Sequence, residues 1–217
     1  MQGVQSPRIS QVPTIAFAVF AACAAMAATA AGPEVTEDAF PDYTASHTVI
    51  KCPYLPPDLS EVPLCHGEKA TCVGTDGPDL ILGSDKNDVI VAGPGNDVVH
   101  GDAEDDILCG GPGNDSLFGA RGVDISYGGP GDDWLFGAPD ADELYGGPGD
   151  YDVLWDGPGY GKLDGGPGNY DVCMLQREMA EVIEGTCETI YPPPGYLHDD
   201  EPEPGVLIKS DPLKLKK

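Results

Sequence analysis

A repeat of nine residues runs through the middle of the chain and limits the folds that the chain can adopt. Its units begin at Gly74, Gly83, Ala92, Gly101, Gly110, Gly119, Gly128, Gly137 and Gly146, and the series resumes at Asp156 and Gly165. The sixth place is aspartate eight times in succession, at Asp79, Asp88, Asp97, Asp106, Asp115, Asp124, Asp133 and Asp142. The eighth place is aliphatic in seven of these eight units, with Ser126 as the exception. A register kept this long predicts a stack of similar units.

The composition of each unit predicts a turn followed by a short strand. The first six places are rich in glycine, which adopts positive φ without strain. The last three places form a strand whose middle side chain points away from those of its two neighbours. The eighth-place side chains therefore face inward, and stacking buries them because one unit cannot do so alone. Two units complete one coil, so units 18 residues apart lie side by side in one sheet and their aspartates converge at its edge.

These units resemble the RTX (repeats-in-toxin, haemolysin-type calcium-binding) β-roll family. The segments AGPGNDVVH, GGPGNDSLF and GGPGDDWLF match the pattern G-G-x-G-x-D-x-U-x at nearly every defined place. The resemblance covers residues 65–174 and implies an all-β fold, a right-handed parallel β-roll (a β-solenoid). The cysteines of this chain add caps fastened by disulfides to that prediction. The resemblance also implies several Ca²⁺ ions between the turns of units two apart. Their ligands would be sixth-place carboxylates and turn carbonyls, which are oxygen ligands that suit this cation.

The calcium ligands that the resemblance implies include two aspartates beyond the regular series. The units GGPGDYDVLW and GGPGNYDVCM each carry an extra residue, Tyr151 and Tyr170, so that Asp152 and Asp171 recover the sixth-place role. The unit DGPGYGKLD has Gly161 at that place, and a full site is not expected there. The predicted ligands are Asp79, Asp88, Asp97, Asp106, Asp115, Asp124, Asp133, Asp142, Asp152 and Asp171.

Turns of two kinds alternate along the repeat. Units that begin at residues 92, 110, 128, 146 and 165 carry Gly-Pro-Gly at places two to four, and we call the side of the roll that holds their turns the GPG edge. The turns between them form the second edge, where Lys86, Glu104 and Asp140 replace the fourth-place glycine. A left-handed backbone there would cost on the order of 1 kcal/mol for a residue other than glycine. We therefore expect calcium on both edges and tighter binding on the GPG edge; the alternative is that each turn adapts and the edges bind alike.

Six of the seven cysteines lie outside the N-terminal apolar run, an even number that favours disulfides in an exported chain. Cys109, at a ninth place, is predicted to face outward and to need a partner from outside the roll, either Cys65 or Cys52. Cys72 is then expected to pair with the other one. A Cys173–Cys187 bridge would fasten a cap at the C-terminal end of the roll.

The composition divides the chain into five segments. Arg8 precedes the apolar run TIAFAVFAACAAMAATAAG, which predicts a signal peptide over residues 1–31, with a lipid anchor at Cys23 or an alanine-rich membrane anchor as the alternatives. The later segments are an acidic, proline-rich leader over 32–64, the β-roll over 65–174, a cap over 175–191 and a disordered tail over 192–217. The predicted location is extracellular or at the cell surface, without membrane insertion once the signal is cleaved.

Charge and motifs narrow the function. The formal net charge of −26 attracts cations and disfavours nucleic acid and anionic membranes as partners. The sequence contains neither His-Glu-x-x-His nor Gly-x-Ser-x-Gly, and we predict no catalytic residue and no organic cofactor. The favoured interpretation is a secreted, non-enzymatic calcium-binding module that folds on Ca²⁺.

A second hypothesis depends on the ninth-place side chains, which point outward. On one sheet they are Leu82, His100, Phe118, Phe136, Trp155 and Met174, and on the other they are Val91, Cys109, Tyr127, Tyr145 and Asp164. An exposed aromatic ladder would bind a cell-surface polysaccharide or a protein, as in a calcium-dependent adhesin or cell-envelope component. The competing and favoured interpretation is packing between strands or against the segments that flank the roll.

Overall fold

All regular secondary structure in the part of the chain that the structure describes is β-strand. The structure is a computed structural model, and it describes residues 47–57, 59–174, 181–182, 186–187 and 189–191. The strands are β1 (Thr48–Lys51), β2 (Leu64–Cys65), β3 (Glu68–Lys69), β4 (Cys72–Val73), β5 (Asp79–Leu82), β6 (Val89–Val91), β7 (Val98–Ala103), β8 (Ile107–Cys109), β9 (Ser116–Arg121), β10 (Ile125–Tyr127), β11 (Trp134–Phe136), β12 (Glu143–Tyr145), β13 (Val153–Trp155), β14 (Lys162–Asp164), β15 (Val172–Met174), β16 (Glu181–Val182) and β17 (Thr189–Tyr191).

The strands form two parallel sheets and one small antiparallel hairpin. The eight-stranded sheet has the order β1-β5-β7-β9-β11-β13-β15-β17, and the seven-stranded sheet has the order β16-β14-β12-β10-β8-β6-β4. Successive strands of the roll enter alternate sheets, so the chain winds as a parallel β-solenoid of about six turns. Neighbours in most of the roll are 18 residues apart, as where Val99 pairs with Leu117 and Leu117 pairs with Leu135. This register confirms the predicted coil of two units.

The core is a column of eighth-place side chains between the two sheets. All of them are fully buried, namely Ile81, Ile90, Val99, Leu108, Leu117, Ser126, Leu135, Leu144, Leu154, Leu163 and Cys173. Most strands of the roll have three residues, and only the middle one points inward, as the alternation along a strand predicts. Burial of one aliphatic side chain of this size contributes about 1.5–3 kcal/mol. The column therefore stabilises the stack of coils.

The N-terminal end of the roll is closed by residues that precede the regular repeat. β1 pairs with β5 and brings Ile50 into the core. A disulfide joins Cys52 to Cys72, whose Cα atoms are 5.4 Å apart. The β2–β3 hairpin packs against β6 and β8, and there Cys65 is bonded to Cys109. Strand β1 lies within residues 32–64, the segment whose composition predicts an irregular leader.

The disulfides agree with the pairings expected from the sequence. Of the two partners left open for Cys109, the structure selects Cys65, because the hairpin carries that residue over the outer face of the seven-stranded sheet. Cys52 then pairs with Cys72. At the other end of the roll Cys173 is bonded to Cys187, next to the pairing of β15 with β17. Both ends of the described roll are therefore fastened covalently.

Several predictions fall on residues outside the described ranges. They are the signal peptide over 1–31 with the lipid anchor at Cys23, the tail over 192–217 and most of the cap over 175–191. The division of the chain into five segments stays a prediction. Within the described ranges, no helix has the length and apolar character needed to cross a membrane.

Candidate metal centre

The sixth-place aspartates form two rows, one along each edge of the roll. The row on the GPG edge is Asp79, Asp97, Asp115, Asp133, Asp152 and Asp171, and the row on the second edge is Asp88, Asp106, Asp124 and Asp142. All ten side chains are buried, with at most 4% of their surface exposed. They lie where the short strands begin, so the register of each sheet sets them one above another. Carboxylates buried in this way need partners, because removing their charge from water is unfavourable.

One oxygen of the carboxylate takes part in a hydrogen-bond ladder between coils. The Asp79 N–H donates to Oδ1 of Asp97 at 2.8 Å, and the Asp97 N–H donates to Oδ1 of Asp115 at 2.8 Å. The same bond joins each neighbouring pair in both rows, with donor–acceptor distances of 2.7–2.9 Å. Asp152 and Asp171 continue the ladder in spite of the extra residue in their units. The ladder therefore joins equivalent positions of neighbouring coils even where an insertion places them 19 residues apart instead of 18.

The other carboxylate oxygen has no hydrogen-bond partner in most of these residues. This is so for the buried Oδ2 atoms of Asp97, Asp106, Asp115, Asp124, Asp133, Asp142 and Asp152. For Asp106, Asp115, Asp133 and Asp152, Oδ2 lies beside the first-place glycine of its own unit, and the first-place carbonyl oxygen of the next coil faces the same space. A Cβ added to Gly110, for example, would collide with Oδ2 of Asp115 and with the carbonyl oxygen of Gly128. Carboxylate and carbonyl oxygens from two coils therefore converge where the repeat requires glycine.

Burial raises the pKa of these carboxyl groups well above the usual value of 3.8. The pKa is about 6 for Asp97, about 7 for Asp115, Asp124 and Asp152, about 8 for Asp106 and Asp133, and about 9 for Asp142. Loss of hydration is the largest cause, the ladder hydrogen bond opposes it, and the negative charge of nearby acidic groups adds to it. Near neutral pH, full ionisation of the two rows therefore requires positive charge among them.

These oxygens fit a hard divalent cation such as Ca²⁺. This ion takes about six to eight oxygen ligands from carboxylates, backbone carbonyls and water. The gap between two coils supplies a carbonyl oxygen and a carboxylate oxygen that has no hydrogen-bond partner, which we call an open oxygen. Among the described residues, no three side chains of His, Cys, Asp or Glu come together as a metal-binding group. A cation in such a gap would therefore depend on backbone carbonyls as much as on carboxylates.

The first aspartate of each row is satisfied by the protein itself. Thr75 donates its backbone N–H to Oδ2 of Asp79 at 2.6 Å and its hydroxyl to Oδ1 at 3.1 Å. Ser84 donates its N–H and its hydroxyl to Oδ2 of Asp88, both at 2.8 Å, and the Thr71 hydroxyl donates to Oδ1 of Asp88 at 2.9 Å. Both Asp79 and Asp88 were predicted as ligands. Thr75 and Ser84 stand at the second place of their units. A hydroxyl residue at that place is the sequence signal that distinguishes Asp79 and Asp88 from the other predicted ligands.

The two edges differ in the backbone of their turns. On the GPG edge the second place has φ between 94° and 118°, at Gly93, Gly111, Gly129, Gly147 and Gly166. On the second edge, residues with a side chain adopt positive φ, at the second place in Asp102 (83°), Ala120 (80°) and Ala138 (89°), and at the fourth in Glu104 (68°) and Asp140 (97°). Glu104 and Asp140 were predicted to be strained, whereas Lys86, predicted with them, does not adopt positive φ. Positive φ at the second place was not predicted, although the glycine that every GPG turn carries there indicates it.

The outward aromatic side chains are largely packed away. On the eight-stranded sheet Leu82, His100, Phe118 and Phe136 expose 6% or less of their surface. The Phe118 and Phe136 rings are stacked with centroids 5.0 Å apart. On the other sheet Tyr127 stacks on Tyr145 and on His66 of the β2–β3 hairpin, with centroids 4.8 Å and 4.9 Å apart. Packing accounts for these side chains, and the hypothesis of an open aromatic binding face gains no support.

Comparison with known families addresses the same part of the chain. The family model of the RTX calcium-binding nonapeptide repeat matches in four copies, over residues 73–108, 82–117, 101–135 and 118–153. Curated proteins and solved structures yield no match. The matched residues contain the second-edge row and most of the GPG-edge row, together with the part of the fully buried eighth-place column from Ile81 to Leu144. Residues 73–153 of this chain therefore belong to the RTX calcium-binding nonapeptide repeat family.

Proposed function

We propose that this chain is a secreted, non-enzymatic protein that binds several Ca²⁺ ions and whose β-roll folds when it binds them. One observation carries the proposal. At Asp106 on the second edge and at Asp115, Asp133 and Asp152 on the GPG edge, a buried carboxylate oxygen lacks a hydrogen-bond partner and shares its surroundings with a carbonyl oxygen of the next coil. Calcium binding is also what the RTX repeats imply.

The proposed carboxylate ligands are the aspartates with an open Oδ2. They are Asp97, Asp115, Asp133 and Asp152 on the GPG edge, and Asp106, Asp124 and Asp142 on the second edge. Asp171 extends the first row at its C-terminal end. Asp79 and Asp88 contribute less to binding in this proposal, because amide and hydroxyl groups already satisfy their oxygens. Turn carbonyls of adjacent coils supply the remaining protein ligands.

The charge of the roll explains why folding would require the ion. Residues 74–161 contain 19 acidic side chains, against Lys86 and Arg121 as the basic ones. Neighbouring strands in a sheet are about 4.8 Å apart, a separation at which like charges repel strongly when they are buried. A ligand that binds only the folded state adds its binding free energy to folding. Calcium would therefore act as a structural component of the roll.

Secretion is supported by chemistry and by family. The three disulfides use all the cysteines of the described part of the chain, and disulfides persist in oxidising compartments. RTX calcium-binding repeats are typically extracellular. The apolar run near the N-terminus has the features of a signal peptide. The disulfides and the apolar N-terminal run are independent of the calcium ligands.

A calcium titration followed by far-UV circular dichroism tests the proposal. We expect the oxidised, calcium-free protein to be largely unfolded over residues 74–155 and to gain β-structure as Ca²⁺ is added. Mg²⁺ at the same concentrations is the control, because it demands near-octahedral geometry and keeps its water. A calcium-free sample with the full β-signal and a sharp thermal transition would contradict the proposal.

A further inference from the structure

One repeat unit carries its aspartate and its glycine in exchanged positions. In the regular unit glycine is first and aspartate sixth, as in Gly119 and Asp124. In the unit DGPGYGKLD the first residue is Asp156 and the sixth is Gly161. Because glycine stands at the sixth place, the repeat pattern predicts no carboxylate ligand for calcium in this unit. The tertiary structure leads to a different conclusion.

The Asp156 carboxylate occupies the space next to Gly161, at the other end of the same turn. Asp156 is fully buried, and the Gly161 N–H donates to its Oδ2 at 3.2 Å. A Cβ added to Gly161 would collide with Oδ1 of Asp156 and with the backbone carbonyl oxygen of Asp142, which lies in the preceding coil of the second edge. In the regular unit a Cβ added to Gly119 would likewise collide with Oδ2 of Asp124. The exchange therefore keeps one carboxylate and one glycine in contact across the turn and reverses only their order.

Two carboxylate oxygens without a hydrogen-bond partner lie at this end of the second edge. Oδ1 of Asp156 is buried and has no hydrogen-bond partner, and the same is true of Oδ2 of Asp142 in the preceding coil. Oδ1 of Asp156 and the backbone carbonyl oxygen of Asp142 both border the space beside Gly161. Carbonyl oxygens are also available, since those of Ala138 and Asp140 face Gly157 and Gly159 so closely that a Cβ on either glycine would collide with them.

We propose that Asp156 is a calcium ligand that replaces the missing sixth-place aspartate, so that the gap between the turns 137–142 and 156–161 holds a further Ca²⁺ with Asp142. The inference rests on the proposed calcium binding of the roll. It adds a site after the last residue that the family repeats match, residue 153. The second edge then has cation sites as far as the turn 156–161, the last of its turns within the described residues.

The number of bound ions distinguishes this role from a purely structural one. Asp156→Asn keeps an acceptor for the Gly161 N–H but removes the charge, and it should bind one Ca²⁺ fewer per chain by calorimetric titration. The double variant Asp156→Gly with Gly161→Asp restores the regular order and removes the Asp156 oxygen that would collide with the new Cβ. Once the Asp142 carbonyl shifts to admit that Cβ, this variant should recover the lost ion. Asp85→Asn is the matched control, because it removes one charge from an exposed turn position on the same edge and should bind as many ions as the unmodified chain.

Each outcome has a definite meaning. If the unmodified chain binds no calcium, the proposed function fails, and the inference fails with it. If the unmodified chain and Asp156→Asn bind equal numbers of ions with equal affinity, the roll binds calcium but Asp156 is not a ligand. A double variant that folds in saturating calcium, as circular dichroism reports, yet lacks the ion would overturn the exchange of roles between positions 156 and 161.

Discussion

The two edges of the roll carry the same ladder of aspartate hydrogen bonds, but the backbone conformation of their turns differs. On the GPG edge the turns of adjacent coils are joined to each other, with Gly111 N–H donating to Gly128 and Gly113 N–H donating to Pro130, both at 2.9 Å. On the second edge, β7 and β9 extend into the turn, and residues such as Glu104 hold positive φ with a side chain attached. The ladder bonds are nevertheless of equal length on both edges.

This difference shows that the rows of carboxylates do not depend on one particular turn. The aspartates are positioned by the strands that follow them, whereas the turn determines how closely the carbonyl oxygens of two coils approach. Where glycine occupies a position with positive φ the turn forms without strain, and elsewhere each such residue costs on the order of 1 kcal/mol. We therefore expect the strands to determine where cations bind and the turns to determine how tightly they bind.

The largest expected effect concerns both edges together and needs no mutation. The folded-state pKa of the open carboxyl groups is raised from 3.8 to values between about 6 and about 9, so folding favours their protonated form. Their contribution to stability is fully present below pH 3.8 and is lost as the pH rises through these values. Calcium-free protein should therefore gain β-signal in far-UV circular dichroism as the pH is lowered from 9 to 4, without any metal.

Single carboxyl groups on the two edges should also differ in the pH at which they take up a proton. Among the carboxyl groups with a raised pKa in the two rows, Asp142 on the second edge has the highest value, about 9, and Asp97 on the GPG edge the lowest, about 6. Carboxyl resonances followed by NMR in acid-folded, calcium-free protein should show Asp142 protonated at a pH where Asp97 is ionised. A chain without β-signal throughout this pH range would mean that protonation cannot replace the cation.

A methyl group at the fourth place should separate the two edges sharply. Gly113 has φ of 146°, and a Cβ there would collide with the carbonyl oxygen of Gly95 in the preceding coil. Gly113→Ala should lower the free energy of unfolding in saturating calcium by more than about 3 kcal/mol. Glu104→Ala on the second edge is the control, since that position already carries a Cβ, and it should change stability by less than about 0.5 kcal/mol. Urea unfolding measures both, and equal losses would contradict the comparison.

Removing one charge from each edge should give a smaller difference. Asp115→Asn and Asp106→Asn both keep an Oδ1 that accepts the ladder hydrogen bond. Each should weaken calcium binding by about 1–3 kcal/mol, with the larger loss for Asp115, because its turn contains glycine at the positions with positive φ. Calorimetric titration decides the order. A larger loss for Asp106 would show that the density of charge on the second edge outweighs the geometry of its turns.

The smallest effect is a gain in stability on the second edge. Glu104→Gly places glycine at a φ of 68° and should stabilise the calcium-bound roll by up to about 1 kcal/mol. Lys86→Gly is the matched control, because Lys86 holds the same place in its unit without positive φ, and it should destabilise by about 0.5–1 kcal/mol through chain entropy. Thermal unfolding in calcium compares them. A gain at both positions would mean that strain does not distinguish the turns.

Much of the fold could be predicted because it follows from patterns local in the chain. Alternation along a three-residue strand buries Leu117 and its equivalents, and the nine-residue period makes each coil repeat the one before it. The same period brings Asp115 beside Asp97 and Asp133, as the ladder confirms. Even the extra residue Tyr151 left Asp152 in the row, because a turn absorbs an insertion more easily than a strand does.

The parts that could not be predicted depend on which atoms meet between coils. The sequence displays the hydroxyl residues Thr75 and Ser84, but the repeat pattern does not say that they bond to the first aspartate of each row. Nor does it say that Glu104 adopts positive φ while Lys86 does not. These outcomes depend on whether a given turn has a coil on both sides. A nine-residue pattern describes a unit and not its neighbours, so it treats the ends of the stack like its middle.

The sequence by itself determined the parallel solenoid, its inward column and the presence of two acidic rows, since each of these requires only that similar units stack in register. Only the tertiary structure decided which carboxylate oxygens remain open, that Cys65 rather than Cys52 bonds to Cys109, and that Asp156 takes the space of an absent sixth-place aspartate. The physical reason is distance along the chain. Strand alternation acts over neighbouring residues, whereas a buried carboxylate finds its partners in a turn about 18 residues away or at the opposite end of its own turn.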